Sequence, residues 1–208
     1  MPKKSSRRWL QEHFSDPYVK KAQQEGYRSR AVYKLLELQE RDKLFKAGMT
    51  VVDLGAAPGG WSQLVKKLIG QHGKLIAVDL LVMDPLEGVE FLQGDFSEES
   101  FYENLLAMLD GRDVDWVISD MSPNLSGIDS VDQPRSIGLC ELALDFALNI
   151  LSQNGGFLAK AFQGEGFDAF LLSVRKNFNT VLIRKPKASR DRSSEVYILA
   201  KNKKTKLG

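Results

Sequence analysis

Val51-Val52-Asp53-Leu54-Gly55-Ala56-Ala57-Pro58-Gly59-Gly60-Trp61-Ser62-Gln63 decides how this chain is read. Two β-branched residues lead into an acid, a small-residue turn with three glycines follows, and an amphipathic run continues to Ile69. That pattern predicts a strand, a tight turn and a helix. Glycine lets a backbone approach a ligand closely, and the first N–H groups of a helix have no partner within it. The turn is built to hold a small molecule.

Spacing narrows which one. A dinucleotide site reads G-x-G-x-x-G and sets a pyrophosphate on the helix start. Here the glycines are Gly55, Gly59 and Gly60, with Pro58 interposed and Asp53 just ahead. A carboxylate there suits a cationic ligand better than a diphosphate. S-adenosylmethionine fits, having a sulfonium, an ammonium and no phosphate; a glycine turn without a ligand is the plain alternative. The next strands favour a ligand. Strands expected at 50–54, 74–79, 89–93 and 114–119 carry Asp53, Asp79, Asp95 and Asp120 at or just beyond their carboxyl ends. Open α/β sheets bind ligands outside those edges. Asp79 falls twenty residues after Gly59, where a ribose-hydroxyl acceptor is expected, and Asp95 is expected near the adenine amine.

Working outward, a fifth parallel strand is expected at 156–161, with helices near 61–69, 98–109, 133–151 and 167–177. Alternating strand and helix is the signature of a doubly wound α/β domain. The runs 180–184 and 196–200 have no helix between them, so they should pair antiparallel and close the sheet with a reversed hairpin. A mostly parallel seven-stranded sheet so closed, with helices on both faces, is the methyltransferase variation on the Rossmann theme. Upstream, Asp16-Pro17 could open a short helix to about Gly26, and a second is expected from Ser29 to Lys43.

At 208 residues the chain fits one domain: residues 1–46 as a basic lead-in with helices, 47–208 as a catalytic core. Apolar content of 43% and charged content of 27% exclude a disordered chain, and no apolar run is long enough to span a membrane. The basic N-terminus lacks the apolar stretch of a secretory signal. Cys140 is the single cysteine and His13 and His72 lie far apart, so no disulfide within the chain and no metal site are expected, and a cytoplasmic setting follows. Net charge is only +2, but it is unevenly placed. Residues 1–46 carry twelve Lys/Arg against six Asp/Glu, residues 175–208 eleven against two, and the middle six against nineteen. Charged ends are often merely solvated tails. These contain structured patterns, however, and interleave with Trp9, Tyr18, Tyr27, Tyr33 and Tyr197, which is what a phosphate backbone with nearby bases calls for. Nucleic acid is the expected partner.

Phe157-Leu158-Ala159-Lys160-Ala161-Phe162 sets a lysine among apolar residues at the carboxyl end of a central strand. Such a lysine can simply pack its stem and reach for water. Beside a ligand pocket it has another use. Burial favours a neutral amine, the form that takes protons, while a nearby carboxylate such as Asp120 favours the ammonium. The sequence leaves that balance open.

Together, Arg8-Trp9-Leu10-Gln11-Glu12-His13, Arg28-Ser29-Arg30-Ala31, the Val52–Gln63 loop, Gln93-Gly94-Asp95-Phe96, Ser119-Asp120-Met121, Phe162-Gln163-Gly164-Glu165-Gly166-Phe167 and Glu195-Val196-Tyr197 span nearly the whole chain. In them the sequence resembles the FtsJ/RrmJ heat-shock family, bacterial methyltransferases that modify a uridine 2′-hydroxyl in large-subunit ribosomal RNA. The resemblance implies a class I S-adenosylmethionine-dependent fold, with S-adenosylhomocysteine as product and cofactor contacts at Gly59, Trp61, Asp79, Asp95 and Asp120. It implies a catalytic set of Lys34, Asp120, Lys160 and Glu195, with Lys160 as proton acceptor, Asp120 orienting it, and Lys34 and Glu195 positioning the ribose. The familiar form of the family has alanine where Ser122 stands. The implied partner is ribosomal RNA or the large ribosomal subunit, engaged through the basic ends by a monomer without membrane contact. Other readings are a tRNA 2′-O-methyltransferase, an RNA-binding assembly factor that kept the fold without the chemistry, and an NAD-dependent oxidoreductase, the last disfavoured by the missing G-x-G-x-x-G.

Overall fold

The computed structural model describes residues 16–205 apart from 97, 124, 125, 127, 128 and 191; Trp9, the stretch 8–13 and Asn124 lie outside the described residues. Seven strands form one sheet: β1 (Thr50–Leu54), β2 (Lys74–Asp79), β3 (Glu90–Gln93), β4 (Val114–Ser119), β5 (Leu151–Phe162), β6 (Phe178–Arg184) and β7 (Glu195–Lys203), in the order β3-β2-β1-β4-β5-β7-β6. The pairs β1–β2, β2–β3, β1–β4 and β4–β5 are parallel. β7 runs against both its neighbours, so the expected reversed hairpin closes the sheet with its second strand inserted against β5. Every residue of β1 is buried, as a central parallel strand covered on both faces must be.

Helices cover both faces. α1 (Pro17–Gln24), α2 (Val32–Asp42) and α3 (Gly60–Ile69) lie on one, where Ala22, Leu35, Leu38, Trp61 and Leu64 pack with Val51, Leu158 and Tyr197. α4 (Glu99–Leu109), α5 (Asp129–Ile150) and α6 (Phe167–Asn177) lie on the other, where Phe101, Leu105, Ala143 and Phe170 pack with Val52, Leu54 and Phe157. Neighbouring strand residues thus divide between two cores, as the two-residue period requires. Asp16 caps α1 by accepting the Tyr18 N–H at 2.9 Å, with Pro17 in the first turn.

Most element ends fall within a few residues of the sequence reading. Two differ more. α5 begins at Asp129 and carries Pro134 inside it, where a proline ordinarily marks a helix start. β5 starts at Leu151, directly where α5 ends, because the polar Ser152–Gly155 stretch still extends the strand ahead of its buried half. Among the described residues no helix is long and apolar enough to cross a membrane.

Candidate active site

The glycine turn leaves β1 with Gly55 at φ +71° and enters α3 through Gly59 at φ +103°, both in the left-handed region that favours glycine. The Gly55 and Ala56 N–H groups donate to the Val78 carbonyl at 2.8 and 3.0 Å, which ties the turn to β2. A Cβ on Gly55 would collide with Met121 Cγ, and one on Gly60 would meet Ser29 Cβ at 2.8 Å. The segment before α2 therefore lies directly over the turn. Arg28 fastens it there, its guanidinium donating to the carbonyls of Pro58 (3.1 Å), Asp84 (2.7 Å) and Pro85 (2.9 Å). Between the turn and this cover is a cavity of about 70 Å³, reached by Ser29, Asp53, Gly55, Ala57, Trp61 and Asp120. Larger hollows of about 450, 500 and 610 Å³ lie away from the glycine turn and touch none of the expected catalytic set.

The four carboxylates do occupy successive strand tips, in different settings. Asp53 is almost wholly buried and accepts the Ser62 hydroxyl at 2.6 Å. Burial pushes its carboxyl up to about 7; the Ser62 bond opposes that shift, and the negative charges of Asp120 and Asp79 add to it. Asp79 accepts the Ala57 N–H on one oxygen and the Leu81 N–H on the other, each at 2.8 Å, so it braces the glycine turn. A carboxylate has about four acceptor sites, and two backbone bonds leave capacity for hydroxyls. Asp95 is half-buried just past β3, beyond Gly94, whose N–H donates to the Asp79 carbonyl at 3.1 Å.

Asp120 belongs to a tighter cluster. Lys160 Nζ lies 3.3 Å from Asp120 Oδ1 and donates to the Asp120 carbonyl at 2.5 Å. The Tyr197 hydroxyl donates to the same Oδ1 at 2.6 Å. Sheet register explains the meeting: Lys160 sits opposite Tyr197 and Phe162 opposite Glu195 across the β5–β7 pair, so Lys160, Tyr197 and Glu195 share one face. Lys34 enters that face from α2 and pairs with Glu195 Oε1 at 2.6 Å, both side chains nearly buried. Trp61 completes the packing, its ring centroid 5.7 Å from that of Tyr197 and its indole N–H donating to the Ala31 carbonyl at 2.9 Å. Five elements thus bring Lys34, Trp61, Asp120, Lys160 and Glu195 to one place.

Sequence reasoning assigned Tyr197 to nucleic acid, and the structure corrects that. Its ring is fully buried, and burial together with the Asp120 and Glu195 charges drives its hydroxyl well above the ordinary tyrosine range. It cannot stack on a base; it holds Asp120. Tyr33 is likewise buried, its hydroxyl donating to Glu25. Tyr18 and Tyr27 remain half-exposed. The basic ends do meet: Arg184 forks onto Asp42 at 2.7 and 3.0 Å, and the Lys187 N–H donates to Glu37 Oε2 at 2.8 Å. Ser62 beneath Asp53, Arg28 over Gly59 and Ser189 beside Glu195 escaped the sequence reading. Each works through a partner at least six residues away, and no local pattern announces that.

Comparison with known proteins shows the family. The FtsJ-like methyltransferase family matches residues 27–203. The chain belongs to that family. Proteins named ribosomal RNA large subunit methyltransferase E from Acinetobacter baumannii and from Stenotrophomonas maltophilia are each 60% identical to it over 204 residues. Those matches cover 98% of this chain and 94% and 97% of the two relatives. A provisionally assigned ribosomal RNA methyltransferase from Plasmodium falciparum superposes with a TM-score of 0.76 at 27% identity, covering 85% of this chain and 98% of that one. As an FtsJ-like methyltransferase, the chain carries the glycine turn and the Lys34, Asp120, Lys160 and Glu195 cluster side by side on a mostly parallel sheet closed by the β6–β7 pair.

Proposed function

We propose that this enzyme transfers the methyl group of S-adenosylmethionine to the 2′-hydroxyl of a uridine ribose in large-subunit ribosomal RNA, acting on the ribosome or its large particle. The observation that carries the reading is the Lys160–Asp120 contact at the rim of the glycine-turn cavity, with the Lys34–Glu195 pair beside it. The glycine turn and its acids suit the methyl donor: without Cβ atoms at Gly55 and Gly60, Met121 and Ser29 close directly on the turn and keep the cavity narrow, and carboxylates rather than cations face it. Nucleoside-sized ligands ordinarily occupy several hundred Å³. The enclosed space would therefore take only the reacting end, with the remainder along the open strand tips toward Asp79 and Asp95, near Gly59 and Trp61.

The donor supplies an electrophilic methyl on a cationic sulfur and leaves as S-adenosylhomocysteine. The chain's residues do the rest. Lys34 and Glu195 fix the ribose so that its oxygen lies in line behind the carbon, which converts an encounter into an oriented displacement. A neutral alcohol is a weak nucleophile, so its proton must leave as the C–O bond forms and the C–S bond breaks. Lys160 in its neutral form accepts that proton, and Asp120, held by Tyr197, keeps the amine on target. The basic ends supply phosphate contacts, residues 1–46 forming the RNA-facing part of a single cytoplasmic, monomeric methyltransferase unit.

Incubation with labelled S-adenosylmethionine and naked ribosomal RNA, tRNA, assembled large subunits or intact ribosomes tests this. Label in 2′-O-methyluridine of large-subunit RNA is expected. Label confined to tRNA would favour a tRNA enzyme, and RNA binding without transfer would favour an assembly factor.

A further inference from the structure

The β6–β7 connection carries Lys185, Lys187, Arg190 and Arg192, yet it is not a loose basic loop. Lys185 and Lys187 face solvent while Pro186, Ala188 and Ser189 between and after them are buried. The Arg30 guanidinium donates to the Ala188 carbonyl at 2.5 Å, and the Ser189 N–H closes a turn onto the Pro186 carbonyl at 2.9 Å. At the innermost point the Ser189 side chain, on a residue only 4% exposed, donates its hydroxyl to Glu195 Oε1 at 2.8 Å. That oxygen is also the one Lys34 grips at 2.6 Å.

We infer that Ser189 is a positioning residue for methyl transfer: its hydroxyl fixes the Glu195 carboxylate against Lys34 and makes that pair one rigid unit with the cationic loop. A carboxylate held by a single lysine can pivot about one contact. A second donor on the same oxygen, from a buried and backbone-anchored serine, removes that freedom. Hydrogen bonds to charged acceptors are the stronger ones, and a site loosened by a fraction of an ångström loses rate rather than binding. The same serine ends the stretch that presents Lys185 and Lys187, so phosphate contacts made there reach the ribose-positioning pair through one short bond. The inference rests on the proposed methyl transfer to a ribose hydroxyl.

Ser189→Ala removes the donor and little else. Saturating turnover on large-subunit RNA should fall about tenfold, RNA affinity should stay within about twofold, and Ser189→Thr, which keeps the hydroxyl, should recover most of the rate. In a Glu195→Gln background Ser189→Ala should cost less than about twofold, because the partner it positions is already changed. Urea melts establish that each variant folds, and Ser189→Cys, a weaker donor of similar size, should give an intermediate rate if the alanine variant does not. Unchanged turnover, weakened RNA binding with normal turnover, or a full tenfold loss in the Glu195→Gln background would each overturn the positioning role. A wild-type enzyme inactive on every large-subunit substrate would sink the functional reading and this inference together. An active wild type matched by Ser189→Ala sinks this inference alone.

Discussion

The two halves of the site are built by opposite rules. On the parallel side, the turn after β1 and the tips of β2 and β3 present glycines and carboxylates whose partners are mostly backbone groups: Asp79 accepts from Ala57 and Leu81, and the turn donates to Val78. On the antiparallel side, Lys34, Asp120, Lys160, Glu195 and Tyr197 hold one another by side-chain contacts between residues far apart in sequence. The first half is a cradle, shaped by what is absent. The second is an interlocked set, shaped by what each member does to the next. A cradle tolerates loss of one contact, whereas an interlocked set does not.

Lys160→Ala should expose that difference most strongly. Turnover should fall about a thousandfold, the middle of what general base catalysis contributes, while donor affinity by calorimetry stays within about threefold. Near-normal turnover would remove Lys160 as the base. A parallel collapse of donor binding would mean that the two halves are not separable.

The next effect belongs to the cradle. Asp53 has its folded-state value raised to about 7, above the ordinary carboxyl value of 3.8. The folded protein therefore holds that proton more tightly than the unfolded chain, so the contribution to stability is complete below about pH 4. It declines as pH rises and is gone above about 7. At about 1.4 kcal/mol per unit, the rise from 3.8 to about 7 makes that decline on the order of 4–5 kcal/mol. Asp42 has the reverse sign: its bond from Arg184 holds its carboxyl below the usual range, so its contribution is present above about pH 4 and is lost as pH falls through the lowered value. Urea midpoints of wild type and Asp53→Asn, measured from pH 4.5 to 8, should converge or cross as wild type loses that contribution. Parallel pH curves would show that Asp53 is ionised throughout.

Legibility in the sequence followed the same division. Val51–Gln63 announced the strand, the turn and the helix because glycine, proline and β-branched residues act on their own backbone. The acids at strand tips were readable because a parallel sheet puts all those tips on one edge. Lys160 stood out as a charge in an apolar strand with Asp120 one strand over, though Lys34 and Glu195 came from the family resemblance and not from spacing. Tyr197 was misread because alternation along β7 does not say which face is covered, and the face packed under Trp61 became visible only with α3 in place. Ser62 and Ser189 gave no signal at all. A serine beneath a carboxylate is a fact of three dimensions.

Tyr197→Phe gives the smallest and sharpest test of the interlocked half. The change keeps the buried ring and its packing against Trp61 and removes only the hydroxyl that donates to Asp120 Oδ1 at 2.6 Å. A bond to a charged acceptor is worth about 1.5–3 kcal/mol, so turnover should fall roughly tenfold to a hundredfold if Asp120 must be held to aim Lys160. With the tyrosine bond gone, Oδ1 keeps Lys160 at 3.3 Å as its remaining contact among these groups, and the carboxylate gains room to swing. Donor affinity should stay close to wild type, because Tyr197 is not among the residues around the glycine-turn cavity. The combined Tyr197→Phe and Asp120→Asn variant should be little worse than Asp120→Asn alone, since the hydroxyl acts through that carboxylate. Additive losses would instead show that the hydroxyl does not act through Asp120, and the interlocked set would then end at β5 rather than reach across to Tyr197 on β7.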